Sequence, residues 1–409
     1  MSTRTEAAPA AGQSAAQARS WLMLAMATIG FGLNFWAWAL LSPLGPHFKA
    51  ALHLSSVSQA LLVAVPVVVG SLGRIPVGAL TDRLGGRIMF SAVSFATIVP
   101  VLVIGYVAHG SLAGLLAAGF FLGIGGTAFA VGVPFVSAWF PPHRRGLAIG
   151  IFGMGMGGTA ISALTTVKLV TANGIASPFL IVAVVLAVYG AVAALVLRDA
   201  PGRARPAEPL ATRLGRTLRL RITWQASALY ALAFGGYVAF SVYLPTYLKT
   251  AYLLTQSDAA AKMGGFVIVA VLLRPAGGYL ADRFPAAWVL AVAFAVVAGC
   301  AFAQSVTPAL APGGTIAFLV MAAALGAAAG AVFALVAQRA PRQEVGAVTG
   351  VVGAAGGLGG FIPPLVMGTI YGALQSYALG LVLLGAVAAA AVLYVTTGLR
   401  PPRQPGTAH

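Results

Sequence analysis

The sequence predicts an all-α membrane protein of twelve transmembrane helices, arranged as two pseudo-symmetric halves of six helices each. Three observations predict this class. Of the 409 residues, 60% are hydrophobic and 8% are charged, whereas a soluble domain carries roughly 25% charged residues. Apolar runs of about 20 residues, long enough to cross a bilayer, recur along the chain. Motifs of the first half also return 200 residues later in the second half.

Proline, glycine and charged residues separate the predicted spans. The spans cover residues 21–43, 56–80, 88–108, 112–137, 146–168, 177–197, 224–247, 260–281, 286–305, 314–337, 345–371 and 377–396. The predicted domains are a tail (1–20), an N-terminal bundle (21–197), a basic linker (198–223), a C-terminal bundle (224–396) and a second tail (397–409).

Positive charge predicts the orientation of these spans. Eighteen of the 20 arginines lie at the termini, in the linker or in the even-numbered connections, and all four lysines lie on the other side. By the positive-inside rule, both termini and the linker are cytoplasmic. We expect the membrane to be a bacterial-type inner (plasma) membrane. The net charge of +17 therefore follows the topology and does not indicate a nucleic-acid partner. The single cysteine, Cys300, excludes an intrachain disulfide.

The two remaining arginines, Arg74 and Arg274, lie inside matching apolar spans. Each begins a ten-residue stretch with related sequence, RIPVGALTDR (74–83) and RPAGGYLADR (274–283). Arg74 precedes Asp82 by eight residues, which is about 12 Å along a helix and too far for the side chain to reach the interface easily. A duplicated bundle has a pseudo-twofold axis along the membrane normal, so we expect the two arginines to face each other across it.

The charge of these arginines predicts an anionic substrate. The seven acidic residues all lie in termini, loops or helix ends, so no carboxylate is expected at membrane depth. A buried charge without a counter-ion is unfavourable. A bound anion can supply the missing negative charge, and the planar guanidinium fork suits planar oxyanions. The hydroxyl of Tyr230 is a further candidate donor to the anion.

The lack of titratable groups in the predicted membrane interior indicates the mode of transport. All five histidines are predicted in loops, near span ends or at the terminus, which differs from the acidic and histidine relay of a proton pump. Exchange of one anion for another is the simpler mechanism. Proton symport, a carrier of another small organic anion, an anion channel and a non-transporting sensor remain alternatives. The sequence predicts neither an enzyme, nor a metal site, nor a cofactor.

Glycine runs occupy matching positions in the two halves. RRGLAIGIFGMGMGG (144–158) aligns with EVGAVTGVVGAAGGLGG (344–360). Small residues let helices approach closely, so these runs predict two helices that slide or bend during transport. The candidate gating glycines are Gly150, Gly153, Gly157, Gly350, Gly353 and Gly357.

These motifs resemble the major facilitator superfamily, and within it the nitrate/nitrite porter family. The stretch GALTDRLGGR (78–87) is similar to the superfamily's loop between the second and third helices. The residues of that signature and its echo are Gly78, Asp82, Arg83, Arg87, Asp282 and Arg283. FWAWALLSPLGP (35–46), RIPVGALTDR (74–83), the first glycine run and GAVTGVVGAAGGLGG (346–360) resemble the porter family, and the last is close to its second nitrate signature.

The resemblance implies a site for nitrate or nitrite bound by Arg74 and Arg274. Phe129, Tyr230 and Phe35 look like the family's cavity-lining aromatic residues, and the glycine runs like its gating elements. One position departs from the pattern, because the first signature usually carries an asparagine and here reads GMGMGG (153–158). The preference between nitrate and nitrite therefore stays open. We expect a monomer in the lipid bilayer, with small inorganic anions as its partners.

Overall fold

The computed structural model describes residues 8–141, 144–201, 210–341 and 344–399. Within these ranges the regular structure is helical, and twelve spans are long and apolar enough to cross a membrane. The predicted all-α fold of twelve spans is confirmed. Residues 1–7 and 400–409 of the predicted tails, residues 202–209 of the predicted linker, and His143 and His409 lie outside the described residues.

The described part of the first half contains ten α-helices, which form six spans. They are α1 (Ala8–Trp38), α2 (Leu41–Ala51), α3 (Ser56–Leu72), α4 (Arg74–Leu84), α5 (Gly86–Tyr106), α6 (Leu112–Leu122), α7 (Ala128–Trp139), α8 (Arg145–Gly153), α9 (Gly158–Asn173) and α10 (Ala176–Val196). The first, second, fourth and fifth spans each consist of two helices in series.

The described parts of the linker and the second half contain eight α-helices. They are α11 (Leu210–Leu218), α12 (Arg221–Ala251), α13 (Gln256–Arg283), α14 (Ala286–Ser305), α15 (Thr315–Arg339), α16 (Val345–Gly359), α17 (Ile362–Leu374) and α18 (Ala378–Gly398). The short helix α11 belongs to the linker, and α16 and α17 together form the eleventh span.

Several helix boundaries differ from the predicted spans, and two helices extend into the predicted tail and linker. Helix α1 begins at Ala8, so the described part of the predicted tail is helical and continuous with the first span. Helix α12 begins at Arg221, inside the predicted linker. Hydrophobic runs mark the part of a helix that is apolar, whereas the helix itself continues for as long as its backbone hydrogen bonds do.

Glycines interrupt the spans near the two buried arginines. Gly73 separates α3 from α4, so that Arg74 is the first residue of α4. A tight turn from Met154 to Gly157 joins α8 to α9, and Gly360 with Phe361 joins α16 to α17. These three spans are therefore interrupted at small residues, which let neighbouring helices approach, whereas α13, which carries Arg274, runs unbroken from Gln256 to Arg283.

Side-chain hydrogen bonds connect elements at both ends of the bundle. At the termini end, Trp139 Nε1 donates to the Arg198 carbonyl (3.1 Å) and Arg339 Nη2 to the Leu399 carbonyl (2.7 Å), each within one half. At the distal end such bonds join the two halves. Ser42 Oγ donates to the Ser241 carbonyl (2.8 Å), and Gln59 Nε2 donates to Thr246 Oγ1 (2.9 Å). The halves are thus held together at the distal end.

Candidate substrate-binding site

Arg74 and Arg274 are both buried in the centre of the bundle. Arg74 is 6% exposed and Arg274 is 3% exposed. Arg74 follows the break at Gly73, and Arg274 precedes Pro275 in the middle of α13. Within the described chain, neither guanidinium pairs with a carboxylate. Two like charges therefore share one region of low polarity, where an unpaired charge is strongly disfavoured.

Two phenylalanine rings bring the arginines together. The Arg74 Cζ lies 5.0 Å from the ring centroid of Phe129 and 5.4 Å from that of Phe234. The corresponding distances from Arg274 Cζ are 5.9 and 5.7 Å. The two rings are themselves stacked, with centroids 6.5 Å apart and planes 23° apart. Aromatic faces attract cations, so this ring pair partly stabilises the two guanidiniums. The N–H groups of the guanidiniums are oriented by other contacts.

Arg274 is held by groups from both halves. Its Nη2 donates to the Tyr230 hydroxyl at 2.8 Å, and its Nη1 contacts the sulfur of Met156. The Tyr230 ring stacks on Phe234, with centroids 5.1 Å apart, and meets Phe333 edge-on at 4.7 Å. These packed rings fix the tyrosine hydroxyl beside the charge, where it can act as a hydrogen-bond donor to an anion as well as an acceptor from arginine.

Arg74 makes a different set of contacts. Its Nη1 donates to the backbone carbonyl of Gly353 in α16. Its Nε has no hydrogen-bond partner, although that atom is buried. Buried donors are almost always paired, so the free Nε marks a place where the site has unused hydrogen-bonding capacity.

The predicted aromatic residue Phe35 lies farther from the charges. Its ring packs on Phe31, at 4.4 Å between centroids, and on Trp38 at 5.1 Å. Phe31 in turn packs on Phe129 at 5.7 Å. Phe35 therefore supports the site through one intervening ring, whereas Phe129 and Tyr230 contact the arginines directly.

The six candidate gating glycines divide into two groups. A Cβ atom added at Gly353 would lie 3.2 Å from the Phe129 ring, and one at Gly153 would lie 3.3 Å from the Arg274 guanidinium. A Cβ atom at Gly357 would collide with the Ser71 side chain. Gly150, Gly157 and Gly350 have no atom closer than 4.0 Å to such a position. The close approaches predicted from the sequence therefore occur at Gly153, Gly353 and Gly357.

The signature-loop residues lie at the termini end, away from the arginines. Arg87 Nε donates to the Ala194 carbonyl at 2.7 Å, and the Gly86 amide donates to Asp199 Oδ1 at 2.7 Å. These bonds attach the start of the third span to the end of the sixth. In the echo of the loop, Asp282 and Arg283 are exposed, and Arg283 lies 4.6 Å from the Tyr279 ring centroid. Gly78, Asp82 and Arg83 lie on α4 between Arg74 and this end.

Sequence reasoning did not select several residues that contact the arginines. Phe234 follows Tyr230 by one helical turn, and Phe333 occupies the position in the second half that Phe129 occupies in the first. Helical spacing and the internal repeat were therefore available as signals for both. Met156 lies in the GMGMGG run, and nothing in the sequence indicates that its sulfur reaches Arg274.

Comparison with known proteins assigns the fold and the family. The family model described as Major Facilitator Superfamily matches residues 27–364 and 230–408. Two structures of a bacterial homologue of the human lysosomal transporter Spinster superpose with a TM-score of 0.71. They are 19% and 21% identical and cover 92% and 95% of this chain, and 97% and 99% of their own. The chain therefore belongs to the major facilitator superfamily, a class of membrane transporters and not of enzymes.

Curated relatives narrow the family further. A probable nitrate/nitrite transporter, NarK2, of Mycobacterium tuberculosis is 48% identical over 381 residues, which are 93% of this chain and 96% of the relative. A nitrite extrusion protein of Bacillus subtilis is 35% identical, over 92% of this chain and 94% of the relative. A probable nitrate transporter, NarT, of Staphylococcus carnosus is 32% identical, over 85% and 88%. The chain belongs to the nitrate/nitrite porter family of the major facilitator superfamily.

Proposed function

We propose that the protein carries nitrate and nitrite across the membrane by alternating access, and that it exchanges one anion for the other. The two buried guanidiniums that share the Phe129 and Phe234 rings carry this proposal. The names of the relatives, which refer to nitrate and nitrite, support the choice of anion. A planar oxyanion of this size fits guanidinium donors and ring faces better than a bulky or non-planar one.

The anion acts as the counter-ion of the arginine pair. Arg74 and Arg274 repel each other, and the described structure supplies no carboxylate to offset their charge. An anion bound between them neutralises part of that charge and so stabilises the state in which the two halves close around it. The loaded carrier changes conformation more readily than the empty carrier, and this difference is the physical basis of exchange.

The neighbouring groups orient the anion. Tyr230 is held against Arg274 by a 2.8 Å hydrogen bond, so its hydroxyl and the guanidinium can bind adjacent oxygens of the same anion. Phe129 and Phe234 limit the site to a flat ligand and exclude water, which strengthens each electrostatic contact. Met156 contacts Arg274 from the first half and contributes a polarisable sulfur with little hydrogen-bonding capacity.

Switching takes place at the broken spans. Gly353 and Gly153 each lie against an arginine of the other half, so movement of either glycine run changes the position of a guanidinium. The distal end is held by hydrogen bonds between the halves, from Ser42 and Gln59. Alternating access requires that these bonds break and that contacts form at the termini end, while the two halves rock about the central site.

Counterflow in liposomes tests the proposal. Purified protein is reconstituted into vesicles that are empty or loaded with nitrite, and uptake of labelled nitrate is followed with and without a pH gradient. Exchange predicts uptake into loaded vesicles alone, with little change when the pH gradient is imposed. Uptake into empty vesicles that depends on the pH gradient would identify a proton symporter. A current without saturable counterflow would identify a channel, and uptake of a small carboxylate in place of nitrate would identify an organic-anion carrier.

Membrane location and orientation complete the proposal. We place the protein in a bacterial inner membrane as a monomer, with both termini in the cytoplasm, because arginine is concentrated on that side. Fusion of a reporter that fluoresces only in the cytoplasm to residue 409 tests the orientation. A fluorescent fusion supports it, and a dark fusion with normal transport activity contradicts it. Light scattering of the detergent-purified protein measures its mass and hence its oligomeric state.

A further inference from the structure

Ser71 has a buried hydroxyl without a hydrogen-bond partner. The residue is 1% exposed, it lies near the end of α3, and its Oγ is buried and unpaired. A buried hydroxyl that makes no hydrogen bond is unfavourable. A helical serine has an alternative, because its hydroxyl can donate to the carbonyl of the preceding turn. Ser71 makes no such bond.

Other buried hydroxyls of the bundle do take that alternative. Ser94 Oγ donates to the Phe90 carbonyl at 2.9 Å, Thr97 Oγ1 donates to the Val93 carbonyl at 2.7 Å, and Ser241 Oγ donates to the Val238 carbonyl at 2.8 Å. In the part of the chain that the structure describes, Ser71 and Ser227 are the buried serines whose hydroxyls lack a partner. Local helix geometry therefore does not explain the free hydroxyl of Ser71.

The position of Ser71 connects it with the arginine site. It precedes Arg74 by three residues, and Arg74 Nε is the other buried unpaired donor in this region. Arg74 Nη1 contacts the Gly353 carbonyl, and Ser71 lies against Gly357, one turn farther along the same helix. A side chain at Gly357 would begin 2.9 Å from the Ser71 Cβ. Ser71 and Arg74 thus lie against glycines that are one turn apart on α16.

The second half lacks an equivalent hydroxyl. Val271 precedes Arg274 by three residues and so occupies the position that corresponds to Ser71. Val271 is buried at 5% exposure and has no polar side-chain atom. The second half has the Tyr230 hydroxyl beside its arginine instead. Tyr230 is hydrogen-bonded to Arg274, and Ser71 precedes Arg74 by three residues, so the two hydroxyls come from positions that the internal repeat does not relate.

We propose that Ser71 is an anion-binding residue, which donates its hydroxyl to an oxygen of the nitrate or nitrite that Arg74 Nε also binds. This inference rests on the proposed function. The anion then receives donors from both halves, Ser71 with Arg74 on one side and Tyr230 with Arg274 on the other. Ser71 supplies a polar contact to the first half of the site, where the GMGMGG run offers only methionine and glycine side chains.

Replacement of Ser71 by alanine tests this role. Alanine removes the hydroxyl, adds no volume next to Gly357 and is a good helix former. The control is Ser91→Ala, which removes a buried hydroxyl that donates to the Arg87 carbonyl of its own helix. Dissociation constants are measured by calorimetry on purified protein with nitrate, nitrite, formate and lactate. Maximal counterflow rates and thermal unfolding midpoints are measured on the same preparations.

The expected result is a dissociation constant for nitrate that rises about tenfold in Ser71→Ala, the effect of losing one hydrogen bond to a charged ligand. The maximal exchange rate and the unfolding midpoint stay close to wild type, and Ser91→Ala is unchanged in all three measurements. Wild-type affinity in Ser71→Ala overturns the inference, as does a lower maximal rate at unchanged affinity.

The panel of anions separates this inference from the proposed function. If the wild type binds formate or lactate and not nitrate or nitrite, the proposed function is wrong, and the inference fails too because it names those two anions. If the wild type binds nitrate and Ser71→Ala binds it equally well, only the inference fails. If the wild type binds none of the four anions, both are overturned.

Discussion

Arg74 in the first half of the chain donates a hydrogen bond to the backbone carbonyl of Gly353 in the second half. Arg274 in the second half makes the corresponding contacts with the first half, because it contacts Met156 and lies against Gly153. Each arginine thus crosses between the halves and contacts the glycine run of the other. The charges that we propose bind the anion and the helix segments that we propose move are therefore in direct contact.

Replacing either arginine with lysine should abolish exchange. Lysine keeps the positive charge, but it has one ammonium group in place of the planar fork that contacts both a partner residue and the anion. We expect counterflow of labelled nitrate in Arg74→Lys and in Arg274→Lys to fall at least about a hundredfold, the size of a lost bidentate charged contact.

The matched control for these variants is Arg219→Lys, at an exposed linker arginine. It should exchange nitrate at the wild-type rate. Chromatographic profiles of the purified proteins establish that each variant is folded. Robust exchange by Arg74→Lys would mean that charge alone is sufficient at this position, and it would contradict the role given to the guanidinium fork.

The variant Tyr230→Phe should weaken anion binding and leave the bundle intact. Phenylalanine keeps the ring that stacks between Phe234 and Phe333 and removes only the hydroxyl beside Arg274. We expect the nitrate dissociation constant to rise about tenfold, as for one hydrogen bond to a charged group. Calorimetric titration of the purified protein measures it.

The same substitution elsewhere supplies the control. In Tyr189→Phe the lost hydroxyl donates to the Met26 carbonyl at 3.1 Å, within the first half. This variant should bind nitrate as the wild type does. Equal affinities in wild type and Tyr230→Phe would show that the hydroxyl serves only to position Arg274.

Two adjacent glycines should differ sharply in their tolerance of alanine. A Cβ atom at Gly158 would collide with the carbonyl oxygen of Gly32 and lie 2.8 Å from the Trp36 backbone nitrogen in α1, whereas one at Gly157 would have no atom within 4 Å. Gly158→Ala must separate the fifth span from the first, and overpacking of this kind destabilises by about 1–3 kcal/mol. Gly157→Ala should be neutral or slightly stabilising, because alanine favours the helix.

Thermal unfolding in detergent compares the two glycine variants directly. Gly158→Ala should unfold at a temperature several degrees lower than the wild type, by the scaling of about 1 kcal/mol to 2–4 °C for larger domains. Gly157→Ala should match the wild type. If both variants unfold alike, the close approach of α1 and α9 does not limit stability.

The distal end should open more often when a hydrogen bond between the halves is removed. Gln59→Ala deletes the donor to Thr246, and this shifts the equilibrium toward the state open at that end. The chain has one cysteine, Cys300, so Cys300→Ala gives a background for a reporter cysteine at the buried position Ser241. A water-soluble maleimide should label that reporter several-fold faster in the presence of Gln59→Ala.

Lys49→Ala is the control for the distal end. Lys49 Nζ donates to Ser56 Oγ at 3.1 Å, a bond inside the first half at the same end of the bundle. Its loss should leave the labelling rate of the reporter unchanged. Faster labelling in both variants would indicate general loosening of the distal end and not a specific link between the halves.

The length of the apolar runs was sufficient to predict the twelve spans. A run that crosses the bilayer has to be helical, because its backbone N–H and C=O groups must form hydrogen bonds within the segment. Helix ends were less predictable. The additional turns of α1 before residue 21 and of α12 before residue 224 are polar or mixed in composition. Such turns continue a helix through backbone hydrogen bonds, and hydropathy does not report them.

The sequence by itself determined the class of protein and its central charges. The internal repeat singled out Arg74 and Arg274, because both lie in apolar spans and at matching positions of the two halves. The same repeat pointed to the glycine runs at the bends. These features are local or periodic, so they can be read without coordinates.

Only the tertiary structure decided which side chains surround the arginines. Phe234 and Met156 contact them, Phe35 is separated from them by the rings of Phe31 and Phe129, and Ser71 has an unpaired hydroxyl three residues before Arg74. The physical reason is that the contacts around the arginines, such as those of Arg274 with Met156 and of Phe129 with Phe234, join spans that are far apart in the chain. Their distances depend on how helices tilt and bend at glycines, and a pattern within one span contains no information about the span packed against it.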